Sequence, residues 1–292
     1  MPCTRFFRNF AILSRSYSVS AKKETSFFVL LSTFRNFAAG LFINKKTEKM
    51  AERLERRLKE RFVRAFATYR LLEDGDKVLV GLSGGKDSLL LLELLAKRAR
   101  ICHPSFKVEA LHVRMENISY ESSADDLQRF CDDLGVPLHI RTTSFETSTD
   151  NPLLKDKPPC FLCSWYRRKT MFNLAQQLGC NKIALGHHRD DIIHTALMNL
   201  TFQGRFGTMP ALLRMRKMPL TIIRPLCLID EADIRCYAEL RNYPKLKKLC
   251  PYEHDTHRTT AAKLFAELER VNPEARHSIW RALEQEGKLI EE

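Results

Sequence analysis

No apolar stretch in the 292-residue chain approaches the roughly 18–20 residues needed to cross a bilayer, so a membrane-spanning protein is not expected. There is no solenoid-type repeat and no low-complexity tract, which removes repeat scaffolds and fibrous proteins. The nine cysteines do not form an even, secreted-type framework in a short chain, so a disulfide scaffold is a poor account of them. Cys102, Cys131, Cys180, Cys227 and Cys236 sit singly in apolar or helical surroundings and read as packing residues. What is present, 44% hydrophobic and 28% charged residues, fits a globular chain long enough for one sizeable domain with appendages.

Two further absences define the stretch VGLSGGKDSLLLLELL, residues 80–95. It is not a Walker A loop: only three residues separate Gly81 from Gly85, and Asp87 stands where a magnesium-binding Ser or Thr is required. It also lacks the Gly-x-Gly-x-x-Gly of dinucleotide folds. What remains is Ser83-Gly84-Gly85-Lys86-Asp87-Ser88, directly after an apolar run and opening a leucine-rich helix. Glycines let backbone amides approach an anion, and the helix N-terminus adds the positive end of its dipole. Ser83 and Ser88 can donate to phosphate oxygens, Lys86 can neutralise charge and Asp87 can help hold Mg2+.

The pattern along the chain alternates strands and helices. Leu54, Leu58, Phe62 and Phe66 recur every four residues and predict a helix over 51–70 with a basic outer face. Branched-apolar runs predict strands at 77–82, 107–113, 136–142, 181–186 and 220–226. Helices are expected from Ser88 to about Ala99, over 122–135, from about Ser164 to Leu178, over 190–202 and from Asp230, and the last forty or so residues read as helical. The fold class is therefore α/β, a doubly wound parallel sheet with an N-terminal helix and a helical C-terminal extension. Ligands in such sheets bind beyond the carboxyl ends of the strands, where 83–88, 114–118 and 187–191 converge.

The expected organisation is a leader over 1–49, an N-terminal helix over 50–71, the α/β domain over 72–242 and a helical region over 243–292. The net charge is +13, of which +7 falls in residues 1–49. That segment has the basic, serine-bearing make-up of a transit peptide, but it repeats FRNFA at 7–11 and 34–38, and an over-extended start with translation from Met50 explains it equally. The protein is expected in the cytoplasm, or in an organelle if the leader is genuine.

Gly186-His187-His188-Arg189-Asp190-Asp191 is the second polar motif. Its histidines and aspartates could form a metal cluster, while Asp190 and Asp191 at a helix start are favoured by the dipole even without a ligand. Cys160 and Cys163, two residues apart, can present two thiolates to one metal, and zinc, redox and iron–sulfur sites all use that spacing. A second such pair is missing, since Cys250 is followed by Pro251, Tyr252 and Glu253. Glu253 or His254 could complete a zinc site with the three cysteines. Arg167, Arg168 and Lys169 follow the cysteine pair, and Lys245, Lys247 and Lys248 precede Cys250; such charge is either solvated surface or an RNA backbone track.

Ser-Gly-Gly-x-Asp-Ser resembles the signature of the PP-loop ATP pyrophosphatases, the adenine nucleotide alpha hydrolase-like fold. Together with CFLC (160–163), the stretch 167–200 and RPL (224–226), it is similar to the tRNA 2-thiocytidine biosynthesis (TtcA) family over about residues 52–270. The resemblance implies an enzyme that adenylates the C2 oxygen of a cytidine in the tRNA anticodon loop and replaces it with sulfur. It implies ATP bound by Ser83–Ser88 with Gly186, His187, Asp190 and Asp191, and Mg2+ on Asp87 and Asp191. It implies a [4Fe-4S] cluster on Cys160, Cys163 and Cys250, which with Asp87 are the expected catalytic residues. The absent fourth cysteine then leaves one iron open for sulfide or persulfide. Expected partners are tRNA, contacted by Arg167, Arg168, Lys169, Lys247 and Lys248, and a sulfur donor such as a cysteine desulfurase; a homodimer is an assembly the resemblance allows. The rival readings are uridine thiolation by a sister family and a lysidine synthetase-like ligase, which needs no cysteine trio.

Overall fold

The computed structural model describes residues 26–101, 103–120, 124–145, 154–244, 248–250 and 257–292. Its contacts divide the chain into two units at Arg57/Leu58, and, the first part of α1 apart, every feature discussed below lies in the second. Among the described residues no helix is long and apolar enough to cross a membrane.

The elements, in order, are α1 (Ser26–Tyr69), β1 (Lys77–Gly81), α2 (Lys86–Ala99), β2 (Lys107–Met115), β3 (Ser119–Tyr120), α3 (Asp125–Leu134), β4 (Leu138–Thr143), α4 (Pro159–Gln177), β5 (Lys182–Ala184), α5 (Arg189–Gln203), β6 (Leu212–Arg214), β7 (Thr221–Ile223), α6 (Glu231–Leu240), β8 (Lys248–Leu249), α7 (His257–Val271), α8 (Ala275–Gln285) and β9 (Ile290–Glu291). The helix expected to open at Met50 is instead continuous from Ser26. Its buried stripe in the second unit is Leu58, Phe62, Ala65 and Tyr69, with Phe66 half-buried and edge-on to Phe62 at 4.7 Å. Steps of four overshoot the 3.6-residue turn by about 40° each, so the stripe moves off the expected Phe66 row.

The main sheet has the order β4-β2-β1-β5-β7-β6-β9. The five strands from β4 to β7 run parallel, whereas β6 is antiparallel to β7 and parallel to β9. Val78, Leu79 and Val80 on β1 are all fully buried, as expected of a strand covered on both faces. Leu79 packs with Leu111, Ile183 and the α4 residues Met171, Leu174 and Ala175, while α2 packs on β1 and β2 and against α6. Every residue of α2 from Ser88 to Ala96 is buried, including Glu93, whose carboxylate accepts from Tyr243 Oη (2.6 Å), Tyr237 Oη (3.0 Å) and Lys97 Nζ (2.5 Å).

Two corrections to the sequence reading matter for the site. Pro159 occupies the first turn of α4, so the helix begins five residues before the expected Ser164 and carries both Cys160 and Cys163 in its opening turn. The C-terminal region is not wholly helical: β9 adds a strand to the main sheet, and β8 pairs antiparallel with β3, matching Tyr120 with Lys248 and Ser119 with Leu249. That short ribbon brings Cys250, the residue after β8, to the end of β2.

Candidate active site

The strand order reverses between β1 and β5, and the two polar motifs stand at their carboxyl ends. Ser83–Gly85 turns from β1 into α2, with Gly84 in the left-handed region at φ +83°. Gly85 is the N-cap of α2 and provides no side-chain cap, so the first-turn amides are free of one. The two hydroxyls brace the loop. Ser88 Oγ donates to Gly85 O (2.9 Å) and accepts from Ser83 N (3.2 Å), and Ser83 Oγ lies 3.1 Å from it.

Lys86 Nζ stands 3.2 Å from both Asp87 and Glu231, the latter from the start of α6. Burial alone would favour its neutral form, but the two carboxylates outweigh burial and raise its pKa. Asp87 Oδ1 is buried and accepts no hydrogen bond, although the Lys86 ammonium is close. An anionic oxygen left in that state is suited to a cation that arrives with a ligand.

The second motif meets the first at Gly186, where a β-carbon would lie 3.0 Å from Ser88 N. His188 caps α5 in a reciprocal box: Asp191 Oδ2 accepts from His188 N (3.1 Å) and His188 Nδ1 faces Asp191 N (3.4 Å). His188 Nε2 lies 3.3 Å from Asp191 and 4.0 Å from Asp87, so the two aspartates flank one imidazole. Nδ1 also lies 3.6 Å from Asp190 Oδ2. Burial by itself would lower the His188 pKa; Asp190, Asp191 and Asp87 together raise it.

Asp190 points elsewhere. It accepts from Glu231 N (2.8 Å) and from Arg276 Nη1 of α8 (2.5 Å), and these contacts with His188 overcome burial and hold its carboxyl well below the usual range. Arg276 also binds Glu269 (2.8 Å) and lies over the Phe265 ring at 5.0 Å. His187 Nδ1 accepts from Arg224 Nε (3.3 Å), a buried arginine whose pKa burial pulls down to about 10 and whose Nη1 donates to Pro210 O. Of the expected nucleotide residues, the structure thus brings Ser83–Ser88, Gly186 and Asp191 together, and sets His187 against Arg224 and Asp190 against Arg276. Glu231, Arg224 and Arg276 escaped sequence reasoning, although Arg224 opens the RPL stretch.

Cys160, Cys163 and Cys250 are free thiols, Cys160 exposed and the other two half-buried. Cys163 and Cys250 border one apolar cluster of Met115, Ile118, Phe145, Leu154 and Leu162, with Tyr120 and Trp165 against it. Among the described residues no three Cys, His, Asp or Glu side chains converge tightly enough for a single metal ion. Two thiols bordering one apolar patch, with the exposed Cys160 one helix turn from Cys163, are the donor type a multinuclear cluster takes, since its metals draw ligands from separate corners. Arg168 and Lys169 are exposed, with Arg168 Nη1 on Ser164 Oγ (2.9 Å) and Lys169 Nζ 5.2 Å from the Trp165 ring; Arg167 is half-buried and donates to Tyr120 Oη at 3.2 Å. Lys247, Glu253 and His254 lie outside the described residues, and of Lys248 only the backbone is described.

A family model described as a PP-loop domain matches residues 50–245. The tRNA-cytidine(32) 2-sulfurtransferase of Bordetella avium is 36% identical over 243 residues, 82% of this chain and 76% of its own length. The protein of that name from Pseudomonas putida (strain GB-1) is 34% identical over 233 residues, 80% of this chain and 84% of its own. Among solved structures, the U34-tRNA thiolase NcsA from Methanococcus maripaludis, with its [4Fe-4S] cluster, is similar with a TM-score of 0.64 and 26% identity over 80% of this chain and 79% of that one. The chain belongs to the TtcA family of tRNA-cytidine(32) 2-sulfurtransferases.

Proposed function

We propose that the protein thiolates cytidine 32 of tRNA, the nucleotide in the names of its bacterial relatives, in an ATP-dependent reaction that yields 2-thiocytidine. The observation that carries this reading is the contact at Gly186, which joins the uncapped N-terminus of α2 to the aspartates of α5. The base's C2 oxygen attacks the α-phosphorus of ATP and pyrophosphate leaves; a sulfur nucleophile then adds at C2 and AMP leaves, so the oxygen departs with the phosphate.

The chain's own groups serve the first step. The α2 amides and the Ser83 and Ser88 hydroxyls hold phosphate oxygens, and Lys86 exchanges Glu231 for them. Asp87, whose Oδ1 accepts no hydrogen bond, and Asp191, across His188, would hold Mg2+, which supplies charge neutralisation. Asp190 and Arg276 hold the start of α5 in place and act as positioning residues. Cys160, Cys163 and Cys250 would hold a [4Fe-4S] cluster, which when bound supplies an open iron site for the incoming sulfur. The apolar residues beside Cys163 and Cys250 keep water, the competing nucleophile, away. Exposed Arg168 and Lys169 contact the tRNA backbone, and Lys247 and Lys248 extend that track. The sulfur comes from a donor protein such as a cysteine desulfurase, and the enzyme works as a cytoplasmic protein, or in an organelle if residues 1–49 address it there. The enzyme proper begins near residue 50, where the family match begins.

Uridine thiolation is the second reading, favoured by the likeness to a U34-tRNA thiolase, but the 26% identity there is below the 34–36% to the cytidine enzymes. Nucleotide products test the reaction class. With tRNA and a sulfide source, ATP should give AMP and pyrophosphate in step with thiolation, whereas stoichiometric ADP would overturn it.

A further inference from the structure

His112, on β2, is 2% exposed and its ring is fixed by one bond: Nδ1 lies 2.8 Å from the carbonyl oxygen of Leu82, the residue before Ser83. A carbonyl only accepts, so Nδ1 carries the proton. Burial, reinforced by Arg167 and Arg114, lowers the imidazole's pKa despite the Leu82 bond, so the ring is neutral and Nε2 presents a lone pair. That lone pair is buried and has no hydrogen-bond partner. Arg167 Nε is its complement, a buried donor that is also without a partner, on a guanidinium whose Nη2 donates to Tyr120 Oη (3.2 Å). The Tyr120 ring stands edge-on to His112 at 6.5 Å between centroids, and the Arg114 guanidinium lies 5.2 Å from it. An unsatisfied acceptor and an unsatisfied donor thus flank one half-buried tyrosine, an arrangement costly to keep unless a ligand uses it.

Their place in the fold narrows the ligand. Leu82 leads directly into the nucleotide loop, while Arg167 follows Cys163 by one helical turn and Tyr120 borders the same apolar cluster as Cys163 and Cys250. The pair therefore lies between the loop that activates an oxygen and the thiols beside which sulfur arrives.

We propose that His112 Nε2 and Arg167 Nε select the target base, His112 accepting from the C4 amine of cytosine and Arg167 donating to its ring N3. This rests on the reading that the enzyme thiolates a tRNA cytidine. Contacts to N4 and N3 leave the C2 oxygen free for activation. Uracil presents the reverse edge, an oxygen at C4 and an N–H at N3, so both contacts would oppose like polarity. The base enters by displacing Tyr120, whose ring gives a stacking face.

The test uses the full chain with its cluster, Mg2+ and ATP, and tRNA transcripts with cytidine, uridine or the pyrimidin-2-one ribonucleoside at the target position. The last keeps the C2 oxygen and N3 but lacks the C4 amine. With the unaltered protein, kcat/KM and equilibrium tRNA affinity should both fall at least about tenfold from cytidine to pyrimidin-2-one. His112→Asn keeps a donor toward Leu82 but loses the distal acceptor; its cytidine-over-uridine preference should drop by a similar factor, with the ratio of ATP to ITP affinities unchanged. His112→Gln, which returns an acceptor at that reach, should recover part of the preference. Equal use of cytidine and pyrimidin-2-one by the unaltered protein would overturn the proposal while leaving cytidine thiolation intact. A collapse of the ATP-over-ITP ratio instead would overturn it by assigning the acceptor to the adenine amine. If the unaltered protein thiolates no cytidine, the underlying reading falls and this proposal with it.

Discussion

Gly186 stands so close to Asp87 that a β-carbon on it would lie 3.1 Å from the Asp87 carbonyl carbon and 3.2 Å from its oxygen, as well as 3.0 Å from Ser88 N. These neighbours are backbone atoms of the first turn of α2, which cannot swing aside as a side chain would. Gly186→Ala should therefore push the two motifs apart, costing about 1–3 kcal/mol of stability and raising the KM for ATP. Chemical denaturation and ATP titration measure the two effects. A variant with unchanged KM would mean that the close approach does not shape the nucleotide site.

Asp87 separates function from stability. Its Oδ1 is buried without a hydrogen bond and has the Lys86 ammonium at 3.2 Å as its counter-charge, so Asp87→Asn removes a buried anionic oxygen that the fold leaves without hydrogen bonds. The melting temperature should hold or rise while thiolation falls by about 10²-fold or more. A large loss of stability in the variant would make Asp87 a structural residue.

Arg276 and Asp190 give a prediction in pH. The Asp190 carboxyl is held below its ordinary value, so its contribution to stability is fully present above about pH 4 and is lost as pH falls through the lowered value. Arg276→Met leaves Asp190 with fewer partners and should cost about 3 kcal/mol at pH 7. The gap between parent and variant should shrink below about pH 4, where the carboxyl protonates in the variant first. Urea titrations at pH 7, 4 and 3 would show it; a gap constant with pH would exclude Asp190 as the partner that matters.

Thiol reactivity should divide the cysteines. Burial pushes Cys131 up to about 12 and Cys180 up to about 11, and raises Cys227 as well, so these three should resist iodoacetamide at pH 7.5 in the native protein. Cys160, which is exposed, should react first. Iron loading should protect Cys160, Cys163 and Cys250 together, and Ala at any of them should lose the iron, whereas Cys236→Ala should keep it. Protection of one cysteine alone would count against a shared cluster.

The parts of this architecture readable in the sequence were those encoded by contiguous residues. Ser83–Ser88 and Gly186–Asp191 are unbroken motifs, and the runs that became β1, β2 and β5 are apolar enough to mark buried parallel strands. Strands of two or three residues, such as β3, β6, β8 and β9, are too short to express an alternating period, so the ribbon that carries Tyr120 toward Cys250 had no signal. The start of α4 was misplaced because Pro158-Pro159 reads as a breaker, whereas the first turn of a helix tolerates proline. Glu231, Arg276 and Arg224 meet the nucleotide motifs from 37 or more residues away, and a lone His112 within an apolar strand looks like any core histidine. Such partnerships are made by the winding of the sheet and leave no local pattern.

The central claim is that the PP-loop and the cysteine trio thiolate a cytidine. The most direct measurement is nucleoside mass spectrometry of unmodified tRNA incubated with the cluster-loaded enzyme, ATP, Mg2+ and a sulfide source. The account predicts 2-thiocytidine at position 32, formed in step with AMP and absent with Asp87→Asn or Cys250→Ala. Accumulation of 2-thiouridine with no 2-thiocytidine would contradict it.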